Sequence, residues 1–168
     1  MSYQEKRTIV MIVTGVMVLA AYCIYAFGQV QAGMVAAGDL KYWARTMLIF
    51  IGIGIAATIV IQIIFHILLS ITTAISKKIQ DPNFNEKEIE KTIELEMVED
   101  EMHKLIELKS TRISFFITGI GFVFGLLSLL LDYPAEVMLN IMFISASLGS
   151  LVEGFTQLYF YRRGIQNG

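Results

Sequence analysis

Four long apolar runs are the feature of this chain that most restricts its fold. Only the last run contains a charged residue, Glu153. The runs are 8–28, 46–76, 113–131 and 137–161. A helix of about 20 apolar residues rises roughly 30 Å, which matches the hydrocarbon core of a bilayer. Four such runs in 168 residues leave no room for a separate soluble core. The sequence therefore predicts one all-α transmembrane domain, 1–168, with four helices over these runs, arranged as two hairpins.

The distribution of positive charge predicts how the helices are oriented. The net charge is only −2, but eleven of the 13 Lys and Arg flank the runs at the chain termini or in the segment 77–112. The other two, Lys41 and Arg45, lie in the first interhelix loop, close to Trp43, which we expect to anchor at the membrane interface. The positive-inside rule then predicts a multi-pass protein of the cell (inner) membrane with both termini in the cytoplasm.

The segment 77–112 is predicted to be a cytoplasmic helical arm between the second and third helices. It contains no Gly or Pro from Glu86 onward, and 86–107 has nine acidic residues against three lysines. Two interpretations stay open. The acidic face is either simply solvated, or it docks a basic protein partner or a second copy of the chain. The docking residues would be Glu96, Asp100 and Glu107.

A metal site on the arm is a further alternative. Asp100, His103 and Glu107 fall on one helix face, and carboxylates with imidazole can bind a divalent ion. Bundles that hold metals in this way need ligands from several helices, so only an oligomer could complete the set. Cys23 is the only cysteine, which excludes a zinc site made of several thiolates in one chain. We therefore expect no metal and no cofactor as the leading interpretation.

Small and polar residues form a stripe along the third helix. They recur three or four residues apart, which keeps them on one face. The stripe consists of Ser114, Thr118, Gly121, Gly125 and Ser128. Lipid does not drive apolar helices together, so close contact relies on small residues and interhelical hydrogen bonds. The stripe therefore predicts helix packing, within the bundle or between two copies, in preference to a pore lining.

The fourth helix carries a polar track with an ionisable residue at membrane depth. Glu153 lies nine residues before Arg162, about 13 Å along a helix. A charge there costs about 2.5–3.5 kcal/mol on insertion scales, so it normally faces the interior and has a partner. We expect His66 on the second helix to be that partner. The rest of the predicted intramembrane cluster is Gln62, Gln157 and Ser150. Its role is either a hydrogen bond that fixes packing, or a proton relay, a cation site or an aqueous cavity.

The residues before the third helix resemble a segment of known proteins. The string Val98-Glu-Asp-Glu-Met-His-Lys-Leu-Ile-Glu-Leu-Lys-Ser-Thr-Arg112 leads directly into the helix. It is similar to uncharacterised four-helix bacterial inner-membrane proteins, in which an Asp-Glu-Arg-Asp-like patch precedes Leu-Ile-Glu-x-Lys. Here Met102 and His103 depart from that patch. The resemblance implies a fold and a location, and no activity.

The functional prediction is a non-enzymatic membrane protein that senses or regulates through the acidic arm. No Gly-rich phosphate loop or His-Glu-x-x-His motif supports an enzyme, and the acidic arm argues against nucleic acid. The alternative is a small oligomeric channel or proton-coupled transporter that uses Glu153 and His66. The predicted partners are the lipid bilayer, other copies of the chain in a homo-oligomer, and a cytoplasmic protein.

Overall fold

Long α-helices make up nearly all of the described chain. The computed structural model describes residues 3–36, 38–80 and 101–164. Within these ranges it has no strand, and its four helices are α1 (Tyr3–Gln31), α2 (Leu40–Gln80), α3 (Glu101–Leu130) and α4 (Ala135–Arg163). Each is long and apolar enough to cross a membrane. The prediction of an all-α chain with four such helices is confirmed.

Every helix begins before the apolar run that predicted it, because polar residues extend a helix beyond the hydrocarbon. The largest extension is at α3, which starts at Glu101 rather than Ile113. Residues 101–112 of the predicted arm therefore continue into the third apolar run as one helix. The preceding part of the arm, 81–100, lies outside the described residues, and so do Glu96 and Asp100.

The helices form two antiparallel hairpins. The connection 32–39 joins α1 to α2, and the connection 131–134 joins α3 to α4. We call the end of the bundle with these two connections the loop end. The opposite end, where α1 and α3 begin and α2 and α4 finish, is the terminal end.

Two polar contacts hold the first connection in place at the loop end. Asp39 Oδ1 accepts a hydrogen bond from the Tyr42 backbone N–H at 3.1 Å, which caps the start of α2. The Gly38 backbone N–H donates to Glu136 Oε1 at 3.0 Å, and this bond ties the connection to α4. Gly38 has a φ of 81°, a conformation that a side chain would disfavour.

Helix α4 is the central element of the molecule. It contacts all three other helices, and its contact with α3 is the most extensive in the described chain. The α1–α2 hairpin packs on another side of α4, mainly through α1. The four helices thus do not surround one shared axis equally. Residues of α4 take part in the contacts with each of the other three helices.

A cluster of buried side chains lies toward the loop end. Five side chains are buried there and form what we call the aromatic core: Tyr22, Ala26, Trp43, Met47 and Phe50. The Tyr22 ring lies 5.5 Å from the Phe50 ring, edge to face. Trp43 is only 5 % exposed, so its predicted role as an interfacial anchor is wrong. Because α2 already begins at Leu40, Trp43 is on a helical face that packs against α1.

The outward faces of the helices are apolar. Large side chains such as Leu108, Phe115 and Leu130 are at least 70 % exposed, and many others on all four helices are about half exposed. Soluble proteins rarely present apolar surface on this scale. Such a surface is suited to contact with lipid, which agrees with the length and hydropathy of the helices.

Candidate functional site: the Glu153 cavity

A cavity of about 340 Å³ lies between α1, α2 and α4, and we call it the Glu153 cavity. Phe50 and Phe143 line it toward the aromatic core. Its polar lining comes from all three helices and comprises Thr8, Thr14, Thr58, Ser147, Ser150, Glu153 and Gln157. Ser147, Ser150, Glu153 and Gln157 of the polar track on α4 therefore border a space between three helices.

Two glycines bring α1 and α4 close together along one wall of this cavity. A β-carbon at Gly154 would lie 2.6 Å from Cγ1 of Ile12, and one at Gly15 would lie 2.9 Å from Cδ2 of Leu151. At Gly154 a contact this short would force the helices apart, whereas at Gly15 the end of the Leu151 side chain could turn away. Gly154 thus sets the spacing at which the neighbouring Glu153 is held against the cavity.

The hydrogen-bond partner of Glu153 is Thr111 of α3. The Thr111 hydroxyl donates to Glu153 Oε1 at 2.7 Å. Glu153 Oε2 receives no hydrogen bond from any residue that the structure describes, and it can therefore accept one from a bound solute. The expected partner, His66, does not make this contact. Helix α2 approaches α4 much less closely than it approaches α1, which explains the difference.

A second chamber of about 120 Å³ adjoins the Glu153 cavity, and we call it the terminal chamber. Both spaces are lined by Glu153 and Gln157, which therefore lie where the two meet. The full lining of the terminal chamber is Gln4, Arg7, Thr8, Met11, His103, Glu107, Glu153, Gln157 and Tyr161. These residues come from the beginnings of α1 and α3 and from the last turns of α4. Glu153 therefore borders a space that lies toward the terminal end.

His103 and Tyr161 form one wall of the terminal chamber. Their rings are stacked, with centroids 5.4 Å apart and an angle of 19° between the planes. The Tyr161 hydroxyl and His103 Nδ1 are hydrogen-bonded. This pair joins the beginning of α3 to the end of α4, so the first turn of α3 lies against α4 instead of extending away from it.

The other members of the predicted cluster are divided between two places. Ser150 and Gln157 line the Glu153 cavity, as described above. The Gln62 side-chain N–H donates to Met11 Sδ at 3.9 Å and lies in a narrow groove beside Arg7. Among the described residues, the lining of both chambers includes neither Gln62 nor His66. The Gln62 side chain of α2 thus faces α1, and Ser150 and Gln157 of α4 face the cavity.

The small-residue stripe of α3 lies against α4. A β-carbon at Gly121 would lie 2.0 Å from Cβ of Ser145, and one at Gly125 would lie 3.1 Å from Cγ of Met142. Ser114 and Thr118 border Gly149 of α4. Ser128 is buried, and its hydroxyl donates to the Gly125 carbonyl at 2.7 Å. Because α4 of the same chain occupies this face, self-association of two copies through it is not possible without separating α3 from α4.

The structure offers no candidate metal site within 3–36, 38–80 and 101–164, where no three His, Cys, Asp or Glu side chains could hold an ion. The predicted metal alternative includes Asp100, which lies outside these ranges. His103 and Glu107 line the terminal chamber, where His103 is half-buried and Glu107 is exposed.

Sequence analysis did not identify Thr111 and Arg7 as site residues. A signal for Thr111 was present, since Thr111 and Glu153 are equally far from Asp132 in the turn of the α3–α4 hairpin. In a tight antiparallel hairpin, residues equidistant from the turn face each other. Arg7 had no comparable signal, because its position depends on how α1 packs against α4.

The geometry brings a carboxylate, an amide and several hydroxyls together around one space between α1, α2 and α4. Such groups can bind a cation or a small polar solute by charge and by hydrogen bonds. The resemblance of residues 98–112 to four-helix bacterial membrane proteins stays a prediction. No protein-family model, curated protein or solved structure matches this chain.

Proposed function

We propose that this chain is a non-enzymatic integral membrane protein that carries a small polar or cationic solute through the Glu153 cavity. The observation that supports this most strongly is the position of Glu153 where the two chambers meet, with one carboxylate oxygen bound to Thr111. Ionisable residues at membrane depth characteristically face a hydrated interior and mark solute or proton pathways. Glu153 is therefore the central binding group of the proposal.

A carrier fits the described geometry better than a continuously open channel. The Glu153 cavity adjoins the terminal chamber on one side and the aromatic core on the other. Beyond Phe143, the buried Tyr22 donates a hydrogen bond to Asn140 Oδ1 at 2.7 Å, and this bond closes the space between α1 and α4. A solute bound at Glu153 would leave toward the loop end only after α1 and α4 had moved apart there. Alternating access of this kind is the usual behaviour of carriers.

The proposed membrane is the inner membrane, with the terminal end in the cytoplasm. Lys6, Arg7, Arg162 and Arg163 lie at the terminal end, whereas Lys41 and Arg45 lie near the loop end. Lys104, Lys109 and Arg112, in the first turns of α3, also lie on the terminal side. This excess of positive charge supports the orientation through the positive-inside rule.

Sensing through the acidic arm is a second candidate function, and one contact favours it. The Thr111–Glu153 hydrogen bond connects α3, and hence the segment before it, to the cavity. A solute that binds Glu153 could displace Thr111 and so alter the position of the first turns of α3. A cytoplasmic partner docked on the arm would then respond to solute binding.

Replacing Glu153 with glutamine is expected to lower solute uptake at least tenfold. The change removes the charge and keeps the shape, and a hydrogen bond to a charged group contributes about 1.5–3 kcal/mol. The measurement is uptake of radiolabelled guanidinium, a permanent small cation, into liposomes that contain the purified full-length chain. Guanidinium serves as the probe because it enters lipid poorly and can donate hydrogen bonds to a carboxylate.

The matched control is Glu136→Gln, the same substitution near the other end of α4. Glu136 binds the Gly38 N–H at the loop end and lines neither chamber. The Glu136→Gln variant should therefore leave uptake unchanged.

If Glu153→Gln melts at a much lower temperature than the native chain, Gln157→Leu replaces it as the test. The side chain of Gln157 has no hydrogen-bond partner among the described residues and lines both chambers. Native uptake in both cavity variants, or no uptake by the native chain, would refute the proposal.

A further inference from the structure

Charges of both signs line the terminal chamber. Arg7 of α1 and Glu153 of α4 are half-buried, and Glu107 of α3 is exposed at its edge. Arg7 makes no hydrogen bond or ion pair with any residue that the structure describes. Among the residues that the structure describes, Glu153 is bound only by the uncharged Thr111. A cationic and an anionic side chain thus share one small space without pairing.

Opposite charges in such a place normally approach each other. Two unit charges 4 Å apart attract by about 4 kcal/mol at the effective dielectric constant of a protein surface region. Here Arg7 and Glu153 are held on two different helices, with the chamber between them. The close contact of Gly154 with Ile12 keeps the helix spacing, and the Thr111 bond keeps the Glu153 carboxylate in place. The chamber therefore offers one positive and one negative group to whatever enters it.

We propose that the terminal chamber binds a small zwitterion, with its ammonium group on Glu153 and its anionic group on Arg7. This inference rests on the proposed function and names the class of solute. An ammonium group donates three hydrogen bonds, for which Glu153 Oε2, the Gln157 amide oxygen and the Thr8 hydroxyl are available acceptors in the lining. The guanidinium of Arg7 presents a planar set of donors that matches a carboxylate or phosphate.

The size of the two spaces agrees with a molecule of this class. The terminal chamber, at about 120 Å³, is several times larger than the roughly 10–15 Å³ that a single water molecule requires. That is enough for the charged groups of a small amino acid or an aminophosphate. The adjoining Glu153 cavity gives room for a short apolar or polar tail. Glu107, exposed at the edge of the chamber, would attract the ammonium end first.

The same pair of charged groups occurs in free amino acids and in the headgroup of phosphatidylethanolamine. Both sources carry an ammonium group and an anionic group, which Glu153 and Arg7 would bind. The anionic group is a carboxylate in an amino acid and a phosphate in the lipid headgroup. The experiment therefore includes a phosphate-bearing zwitterion as well as carboxylate-bearing ones.

Binding is measured by calorimetric titration of the purified full-length chain in detergent. The zwitterionic probes are L-alanine, β-alanine, γ-aminobutyrate and phosphoethanolamine, which cover several separations of the two charges. The singly charged probes are ethylammonium and propionate. We expect the affinity of at least one zwitterion to be about tenfold higher than that of either singly charged probe, because the zwitterion gains a second charge-assisted contact. Tightest binding of phosphoethanolamine would indicate a lipid headgroup, and tightest binding of a carboxylate would indicate a free amino acid.

The variant Arg7→Gln tests the anionic contact. It should weaken binding of the best zwitterion about tenfold and leave ethylammonium unchanged, since ethylammonium does not need Arg7. Arg7→Lys should give an intermediate loss, because it keeps the charge and loses the planar donors. The matched control is Lys6→Gln, which removes the same charge from the exposed neighbouring residue and should change nothing.

Two different results would overturn the inference, and they can be told apart. If ethylammonium binds as tightly as every zwitterion and depends on Glu153, or if Arg7→Gln changes no affinity, the chamber is a simple cation site. The proposed function then survives and the zwitterion does not. If no probe binds the native chain, both the inference and the proposed function fail.

Discussion

Replacing Gly121 with alanine is expected to lower the free energy of unfolding by about 2–3 kcal/mol, by forcing α3 away from α4. The added β-carbon would lie 2.0 Å from both Cβ and Oγ of Ser145, far inside contact distance. The Cβ of Ser145 is fixed to the helix and cannot move away, and rotating its Oγ would break the hydrogen bond to the Ile141 carbonyl at 2.6 Å. In lipid, association of helices depends on van der Waals packing, and small residues at such contacts allow the backbones to approach closely. The measurement is equilibrium unfolding in mixed micelles.

Gly119→Ala is the matched control for this substitution. Gly119 is two residues away on the same helix, and a β-carbon there would meet nothing within 4 Å. It should leave stability unchanged or raise it slightly, because alanine favours a helix more than glycine does. The double variant Gly121→Ala, Ser145→Gly should recover most of the loss, since it removes the two atoms that collide. Equal effects of alanine at positions 121 and 119 would contradict the described packing of α3 on α4.

Tyr22→Ala is expected to have the largest effect of any single truncation, about 3–5 kcal/mol of unfolding free energy. Tyr22 is completely buried. Its ring packs against Phe50 and Phe143, and its hydroxyl donates to Asn140. The truncation would therefore open a hole where three helices meet and leave the Asn140 carbonyl oxygen without its donor. The loss of unfolding free energy is measured by the same equilibrium unfolding in mixed micelles.

Tyr25→Ala is the matched control, because Tyr25 is on the same helix one turn away and is 50 % exposed. Tyr25→Ala should lower the free energy of unfolding much less than Tyr22→Ala does. Tyr22→Phe isolates the hydroxyl, and it should cost about 0.6–1.7 kcal/mol, the range found for hydrogen bonds between membrane helices. A loss from Tyr25→Ala as large as that from Tyr22→Ala would show that the aromatic core is placed wrongly.

The number of helices could be predicted from the sequence because hydrocarbon thickness sets the length of an apolar run. Their ends could not, since polar residues such as those of 101–112 extend a helix without any break in the sequence. The packing face of α3 was visible in the spacing of Gly121 and Gly125. That α4 of the same chain covers it, rather than a second copy, depends on the short 131–134 turn and on hairpin register.

The candidate site could be predicted only in part. Helical periodicity indicated that Ser150, Glu153 and Gln157 share a face of α4, and the structure places them on one cavity. Periodicity shows which face of a helix is polar, and it does not show which neighbour that face meets. For this reason His66 was chosen as the partner of Glu153, whereas the actual partner, Thr111, comes from the helix paired with α4 in the second hairpin.

The central claim is that water and solutes reach Glu153 from the terminal end, and thiol accessibility tests it most directly. Cys23 is the only cysteine, so Cys23→Ser provides a background without thiols. On this background, Gln157→Cys and Ser150→Cys place a thiol at the terminal chamber and in the Glu153 cavity. Leu148→Cys is the control, because Leu148 is 44 % exposed, is apolar and lines neither chamber.

A membrane-impermeant, thiolate-specific reagent is added to one face of sealed vesicles at a time. Protease removal of a tag at the C-terminus identifies the face that carries the terminal end. The account predicts reaction at positions 157 and 150 from that face, faster at 157, and no reaction at 148, where a thiol in lipid does not ionise. Reaction at 150 from the loop end, or no reaction at either cavity position, would contradict it.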